Sequence, residues 1–423
     1  MSVAPDIARD FLGRLDAGAA PGTLDAIRRA GRERFAESGF PTRRSETWRY
    51  SDLKALIDAR FAPGAAPDAA TLGAVPSPYP AADRLVFVDG RLVTSQIGDL
   101  PDGAVIGSFA AWADRNRSDA TALFDLDGGA DRALVSLNAA FFTDGAAIVV
   151  PDGVALPRPV HVVHWNSGAA SHLKSLIRLG KGASATVIET YVGSGAGWTN
   201  VAVTLDVGEA ATLGRYVLQD EAETGFHTSS LAATIGRQAR LDGFLLTIGA
   251  RMARQDAELV LAGEGAHCGY SGAYLLHGGQ EGAVRSLIRH AAPNGATREV
   301  FKGCLADRAH GVFQGKILVD PAAQKTDGYQ LAKTILLGER AVMNAKPELE
   351  IYADDVKCSH GAAIGDLDET ALFYLRSRGL PADQARSMLL EAFVMDAVNL
   401  VEDEAVRAWL AWSVARRLVE FGA

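Results

Sequence analysis

The 423-residue chain has little cysteine and no long apolar run. Its three cysteines cannot build a disulfide framework in a chain of this length, and free thiols persist in reducing compartments, so we expect a cytoplasmic protein. The first ten residues, MSVAPDIARD, lack the basic and apolar regions of a secretory signal. No apolar run approaches the roughly 20 residues that span a bilayer, so no membrane partner is predicted.

Basic charge is also in deficit, and the common catalytic motifs are missing. The formal net charge is −9 without any Lys/Arg-rich run, which argues against a nucleic-acid partner. The segment GVFQGKI (311–317) is one residue short of a phosphate loop, and Ile317 stands where Ser or Thr would hold magnesium. The sequence has no GxSxG, HExxH or CxxC motif. We therefore predict no ATP site in this chain.

Glycine, by contrast, is abundant, with 44 residues. The pattern of the chain changes three times. Apolar residues at three- and four-residue spacing predict an N-terminal helical domain over residues 1–61, and an Ala/Pro-rich linker follows over 62–83. Short β-branched runs bounded by glycine predict a β core over residues 84–364. An amphipathic pattern then predicts a C-terminal helical domain over 365–423.

The β region contains a repeat of about 28 residues. It is marked by four glycines, Gly180, Gly208, Gly236 and Gly263. Three positions after each glycine comes an alanine, namely Ala183, Ala211, Ala239 and Ala266. Such a period favours stacked β turns with glycine at the corners, several of them with positive φ. A sandwich of successive hairpins is the alternative that the spacing leaves open.

The segment ELEIYADDVKCSH (348–360) concentrates side chains that can bind metal. If it is one extended strand, alternate residues share a face, and that face carries Glu350, Tyr352, Asp354, Val356, Cys358 and His360. Cys358 and His360 are therefore candidate ligands for iron or zinc. Two ligands fall short of the three or four of a stable site, so a partner chain would have to supply the others. The alternative is a small buried cysteine beside a hydrogen-bonded histidine.

Four blocks of the sequence resemble the SufB/SufD family of the SUF iron–sulfur cluster assembly system. They are GFPTRRSETWRYSDL (39–53), SLNAAFFTDGAAIVVP (136–151), GVFQGKILVDPAAQKTDGYQ (311–330) and KPELEIYADDVKCSHGAAIGDLDETALFYLRSRGL (346–380). The blocks span nearly the whole chain in the order found in the family. Within the last block, PELEIYADDVKCSHG is of the SufD type rather than the SufB type.

The resemblance implies a mainly β fold, with a right-handed parallel β-helix core between N-terminal and C-terminal helical domains. It also implies a non-catalytic scaffold that pairs with SufB through the β-helix and docks the ATPase SufC on its C-terminal helices, with a homodimer possible when SufB is absent. A nascent iron–sulfur cluster would lie transiently at the SufB interface, near Cys358 and His360. Arg376, Arg378 and Gly379, around a predicted helix end, become candidate contacts for SufC.

Two other functions compete with the scaffold. A β-helix enzyme acting on polysaccharide could use Glu350, Asp354 or Asp355 as acid and base, but its sugar cleft would need aromatic residues, which are few and scattered here. A stand-alone metal-binding protein would need a fuller ligand set than Cys358 and His360. Co-purification from the host distinguishes these possibilities, because a scaffold brings an ATPase and a paralogue whereas either rival comes alone.

Overall fold

A parallel β-solenoid of about eight turns lies at the centre of the chain, with helices at both ends. The structure is a computed structural model that describes residues 5–15, 24–124 and 129–421. The predicted β-helix core between helical segments is confirmed, and the hairpin sandwich is wrong because nearly all neighbouring strands run parallel.

The strands within the described residues alternate between two sheets. They are β1 Asp83–Val88, β2 Arg91–Gln96, β3 Val105–Ser108, β4 Ala146–Val150, β5 Val160–Asn166, β6 Ala170–Leu179, β7 Ser184–Gly193, β8 Trp198–Val207, β9 Thr212–Asp220, β10 Phe226–Ile235, β11 Arg240–Thr247, β12 Met252–Leu261, β13 His267–Leu276, β14 Glu281–His290, β15 Ala296–Leu305, β16 His310–Val319, β17 Asp327–Leu336, β18 Val342–Ile351 and β19 Lys357–Gly365. From β4 onward, even-numbered strands stack in one sheet and odd-numbered strands in the other, so two successive strands make one turn.

The α-helices of the described chain lie before, within and after this stack. They are α1 Pro5–Leu15, α2 Asp25–Ser38, α3 Lys54–Asp58, α4 Ala69–Gly73, α5 Phe109–Arg115, α6 Arg117–Ala122, α7 Ala133–Phe141, α8 Glu369–Ser377, α9 Ala382–Val398 and α10 Glu404–Leu418. Short 3-10 helices cover Glu46–Trp48, Gly129–Arg132 and Val419–Phe421. Within the part of the chain that the structure describes, no helix is long and apolar enough to cross a membrane.

Helices α5, α6 and α7 fall inside the region that the sequence analysis assigned to β structure. The sequence of α7, ALVSLNAAF, is apolar on nearly every side, so its pattern lacks the amphipathic period that marks a surface helix. It is almost wholly buried and crosses α2 closely, where a Cβ on Gly31 would lie 2.7 Å from the backbone nitrogen of Ala140. The N-terminal helices and α7 thereby form one layer against the solenoid.

The repeat glycines do occupy equivalent corners between successive strands, but the expected positive φ is wrong for all four. The left-handed backbone occurs two positions later, at Gly182, Ala210, Gln238 and Gly265. Glycine is needed at the corner because the next turn of the solenoid approaches too closely for a side chain. A Cβ on Gly263 would lie 2.0 Å from the backbone nitrogen of Arg237, one turn earlier. The alanines three positions later are buried inside the corner, as their small size allows.

Helical layers cover the two outer faces of the solenoid. Phe11, Phe35, Phe40 and Trp48 of the N-terminal region share an apolar cluster with Trp198 and Phe226 of the even-numbered sheet. Helices α9 and α10 pack Leu390, Val394, Leu410 and Val414 against Leu246, Leu275 and Cys304 of the odd-numbered sheet. These layers leave the last turn, β18 and β19, as the least covered part of the stack.

The open end of the solenoid as a candidate metal site

The last turn of the solenoid is open on one side. Strand β18 is the edge of one sheet and β19 is the edge of the other, so within the described chain no strand pairs with their outer sides. Every residue of β19 is exposed or only half-buried, and Val342, Ile351 and Ile364 leave large apolar side chains in contact with solvent. Unpaired backbone and exposed apolar side chains together characterise an edge that can accept another chain.

The segment ELEIYADDVKCSH is not one extended strand, which corrects the sequence expectation. Strand β18 ends at Ile351 and β19 begins at Lys357, so a turn separates the acidic residues from Cys358 and His360. Glu350 belongs to the other sheet, where it forms an ion pair with Lys316 and accepts a hydrogen bond from Tyr352. The buried Ala353 sits at the corner, which packs against the turn before it. The shared face of ligands therefore reduces to the cysteine and the histidine.

Cys358 and His360 do share a face of β19. They pair in register with Gly328 and Gln330 of β17, and residues paired in register on parallel strands point to the same side. That side is the interior of the solenoid, because Gly328 and Gln330 are both buried. The two-residue spacing predicted the shared face, and the structure places that face over the interior at its open end.

The environments of the two candidate ligands differ. The Cys358 sulfur lies 3.2 Å from where a Cβ on Gly328 would be, and partial burial raises the pKa of its thiol. His360 is exposed, and its side chain makes no hydrogen bond to any residue that the structure describes. His360 is therefore the more available ligand, whereas Cys358 would need a neighbouring cation or metal to ionise readily.

Two buried polar residues below His360 were missed by the sequence analysis. Glu299 of β15 pairs in register with Gln330 of β17, and Gln330 pairs with His360 of β19. The Gln330 Nε2 donates a hydrogen bond of 2.6 Å to Glu299 Oε2. Burial raises the pKa of Glu299 to about 7. The spacing of these residues, 31 and 30 positions, is a weak signal that becomes visible once the solenoid is known.

A second group with metal-like spacing lies elsewhere, where the C-terminal helix meets the solenoid. Among the described residues, Glu223, His277 and Glu420 bring ligand atoms within 4.8 Å of one another. Arg417 also lies there, with Nη1 3.0 Å from Glu223 Oε1 and an ion pair to Glu420. The guanidinium already provides the positive charge between the two carboxylates. We therefore interpret this group as a clasp for the C-terminal helix rather than as a metal centre.

The predicted docking residues Arg376, Arg378 and Gly379 lie together at the end of α8. Gly379, with φ +93°, ends the helix, and the Arg378 guanidinium lies 5.1 Å from the ring centroid of Tyr374. Phe373 is 73% exposed, and no residue of α8 is buried. The two aromatic residues were missed because the sequence alone did not show which side of α8 is left uncovered.

Comparison with known proteins gives one consistent result. Residues 162–393 match the domain described as SUF system FeS cluster assembly, SufBD core. The chain is 28% identical to the iron–sulfur cluster assembly protein SufD of Escherichia coli over 402 residues, which covers 91% of each protein. It is 28% identical over 420 residues to a SufBD family protein of Synechocystis, covering 94% of this chain and 93% of the relative. A SufBD family protein of Mycobacterium leprae is 30% identical over 291 residues, or 66% of this chain and 74% of that protein.

Proposed function

The chain belongs to the SufBD core family of the SUF system for iron–sulfur cluster assembly, and on that premise we propose that it is a non-catalytic, cytoplasmic scaffold subunit. The scaffold pairs with SufB, docks the ATPase SufC, and helps to build and pass on a nascent cluster. The observation that carries the proposal is the placement of Cys358 and His360 on one face of the open last turn. A site that lies on the interior face of an uncovered last turn is suited to completion by a second chain that covers this end.

The open end supports pairing with SufB. Strands β18 and β19 offer unpaired backbone groups, and Val342, Ile351 and Ile364 offer apolar area that water covers in the single chain. Burial of apolar surface is the main source of association free energy, and edge strands readily accept another strand. A partner with the same solenoid fold can bring its own last turn against this one. A second copy of this chain could occupy the same surface when SufB is absent.

The ligand count supports a shared cluster site. Cys358 offers a thiolate and His360 an imidazole, which are both suitable ligands for iron in a cluster. A cluster takes about four protein ligands, so this chain supplies at most half of them. SufB supplies the remainder in our proposal, and the cluster is the product under construction rather than a resident cofactor of this chain.

The exposed helix α8 supports docking of SufC. Phe373 and Tyr374 project from a helix that buries no residue of its own, and Arg376 and Arg378 add positive charge beside them. Aromatic residues and arginine are enriched in protein interfaces because they combine apolar area with hydrogen-bonding capacity. We propose that α8 is the centre of the ATPase contact.

The test of the cluster site is His360→Ala in the co-expressed complex. We expect SufB and SufC to be retained at wild-type stoichiometry while cluster content per complex, measured by iron and sulfide analysis and visible absorption, falls at least about tenfold. Cys358→Ala should have a smaller effect because its thiol is partly buried with a raised pKa. His267→Ala, a half-buried histidine on the outer face of β13, is the matched control.

Unchanged cluster content in an intact His360→Ala complex would contradict the cluster-site proposal. Loss of SufB from the His360→Ala complex would instead show that the histidine serves assembly. Both outcomes are distinguishable because subunit stoichiometry is measured in the same sample as iron and sulfide.

A further inference from the structure

The buried amide of Gln330 has an orientation that the structure defines. Its Nε2 donates to Glu299 Oε2 at 2.6 Å, and Glu299 lies directly below it on β15. The amide reaches across the interior into space that Gly315 leaves free, since a Cβ there would lie 2.3 Å from the Gln330 Nε2. With the nitrogen committed to the carboxylate, the oxygen of the amide is the group left to act toward the open end.

That oxygen has no partner among the described residues. Gln330 is 0% exposed, and its Oε1 is buried without a hydrogen bond. An unpaired buried acceptor costs on the order of 1–3 kcal/mol, so nearly all such groups in folded proteins find a donor. The residue paired in register above Gln330 is His360, whose imidazole carries a ring N–H and makes no hydrogen bond to the rest of the described chain.

We propose that Gln330 is a positioning residue for His360: its Oε1 accepts the N–H of one imidazole nitrogen, which leaves the other nitrogen free to bind iron of the nascent cluster. The ligand role of His360 rests on the function proposed above, whereas the hydrogen bond itself does not. A histidine that binds metal usually donates its second ring nitrogen to a nearby acceptor, which fixes both tautomer and ring orientation.

Glu299, Gln330 and His360 form a row of residues paired in register on β15, β17 and β19, and Glu299 fixes the orientation of the Gln330 amide. Its carboxyl accepts from the Gln330 nitrogen and thereby prevents the amide from turning its donor toward His360. A donor in that place would face the imidazole N–H and would favour the opposite tautomer. The buried carboxyl of Glu299 therefore fixes the orientation of the Gln330 amide, and the amide in turn fixes the tautomer of His360.

The primary test measures the tautomer of His360 in the full-length chain. We label histidine with ¹⁵N, assign His360 by its loss in His360→Ala, and record ring nitrogen shifts at pH 9, where histidine side chains are neutral. We expect one tautomer of His360 to dominate in the wild-type protein. Gln330→Met keeps the length of the side chain but removes the acceptor, and it should increase the minor tautomer at least about threefold. Gln255→Met, a buried interior glutamine on β12 remote from the open end, should leave the ratio unchanged.

An exchange variant keeps the proposal testable if Gln330→Met does not fold. In Glu299→Gln/Gln330→Glu the lower residue donates and the upper residue accepts, so the tautomer of the wild-type protein should be restored. The proposal would be overturned if His360 in the wild-type protein shows the same tautomer ratio as a free histidine in water. It would also be overturned if the tautomer ratio is unchanged in Gln330→Met.

Cluster formation in the co-expressed complex separates this inference from the proposed function. Gln330→Met should lower cluster content about tenfold, and the exchange variant should recover most of it. If His360→Ala abolishes cluster formation while Gln330→Met changes neither cluster content nor tautomer, the cluster site stands and the positioning role is wrong. If the tautomer responds but His360→Ala forms clusters normally, the hydrogen bond is real and the ligand role is wrong.

Discussion

The middle turns of the solenoid and its last turn use the same backbone geometry but differ in what covers them. On β17, Gly328 and Gln330 are buried because β19 lies over them and the opposite sheet closes the interior. On β19, the equivalent residues Cys358 and His360 are half-buried and exposed. A position that builds the core in one turn therefore becomes available for chemistry in the next, because the stack ends there.

Two interior carboxyls show the same contrast in electrostatic terms. Glu189 of β7 lies far from the open end. Burial disfavours its ionised form, but Arg215 at 2.7 Å and Tyr191 at 2.6 Å outweigh burial and hold the pKa of its carboxyl below the usual value. Glu299 lies on β15, the third strand from the open edge of the same sheet. It has an amide partner in Gln330 and no cationic partner among the described residues, so burial raises its pKa to about 7. Glu189 is thus neutralised by a cation, whereas Glu299 is not.

The largest effect should come from adding a side chain at a corner of the middle turns. Gly263→Val would place a Cβ 2.0 Å from the backbone nitrogen of Arg237, which cannot move without breaking the stack. We expect the free energy of unfolding to fall by about 3 kcal/mol or more. Gly361→Ala on β19 is the matched control, because its Cβ would meet the end of the Leu331 side chain at 3.3 Å. Equal loss of stability in the two variants, measured by urea unfolding, would contradict the contrast between middle and end.

A moderate effect should appear in the pH dependence of stability. Because the folded pKa of Glu299 is about 7 against 4.5 for the ordinary group, the folded state keeps a proton between these values that the unfolded state releases. Stability should therefore fall as pH rises from 4.5 to 7, by roughly 3 kcal/mol from this group. Glu299→Gln should remove that decline, so the difference between variant and wild type in urea unfolding grows over this range.

Glu189→Gln provides the opposite sign for the same measurement. Because the pKa of Glu189 is lower in the folded state, this carboxyl stabilises the fold at pH values above its unfolded pKa, and that stabilisation is lost as pH falls. The wild-type advantage over Glu189→Gln should therefore increase with rising pH. The same pH trend in both variants would show that the two carboxyls are not distinguished by their partners.

The smallest effect on stability should come from the uncovered helix α8. Phe373→Ala removes a side chain that is 73% exposed, so the melting temperature should change little. Capture of SufC by the chain in a pull-down should nevertheless fall at least about tenfold, since exposed aromatic residues often dominate an interface. Trp412→Ala on α10, which removes an aromatic residue that is 50% exposed, is the control. Full SufC capture by Phe373→Ala would remove α8 from the proposed contact.

Most of the architecture was predictable because it depends on local patterns. The glycine repeat favoured stacked turns, since each turn needs a small residue at nearly the same interval, and the family resemblance decided between stacked turns and a hairpin sandwich. The expectation of positive φ failed because glycine there meets a steric demand from the neighbouring turn, at Gly263 for example, rather than a backbone demand of its own. Helix α7 was missed because a helix buried on all sides has no polar face to reveal its period.

The site was only half predictable, again for a physical reason. Cys358 and His360 share a face because they are two residues apart on one strand, which a sequence shows directly. Glu299 and Gln330 come under His360 through the pairing of strands whose equivalent residues are 31 and 30 positions apart, and those intervals differ from the 27 or 28 positions between the corner glycines. Turns of unequal length prevent a fixed period from locating such a row. Glu350 was wrongly assigned to the face because no glycine or proline in the sequence marks the corner at Ala353.

Strand β15 makes functional contacts on both of its faces, one outside the solenoid and one in its interior. On the outer face, Lys302 forms an ion pair of 2.5 Å with Asp396 of α9 and lies 4.6 Å from the ring centroid of Phe393. On the inner face, three residues earlier, stands Glu299, which holds the Gln330 amide. A displacement of α9 along the solenoid would therefore act on β15, the strand that carries the Glu299 carboxyl. One strand therefore carries both the contact to the outer helix α9 and the carboxyl beneath the open end.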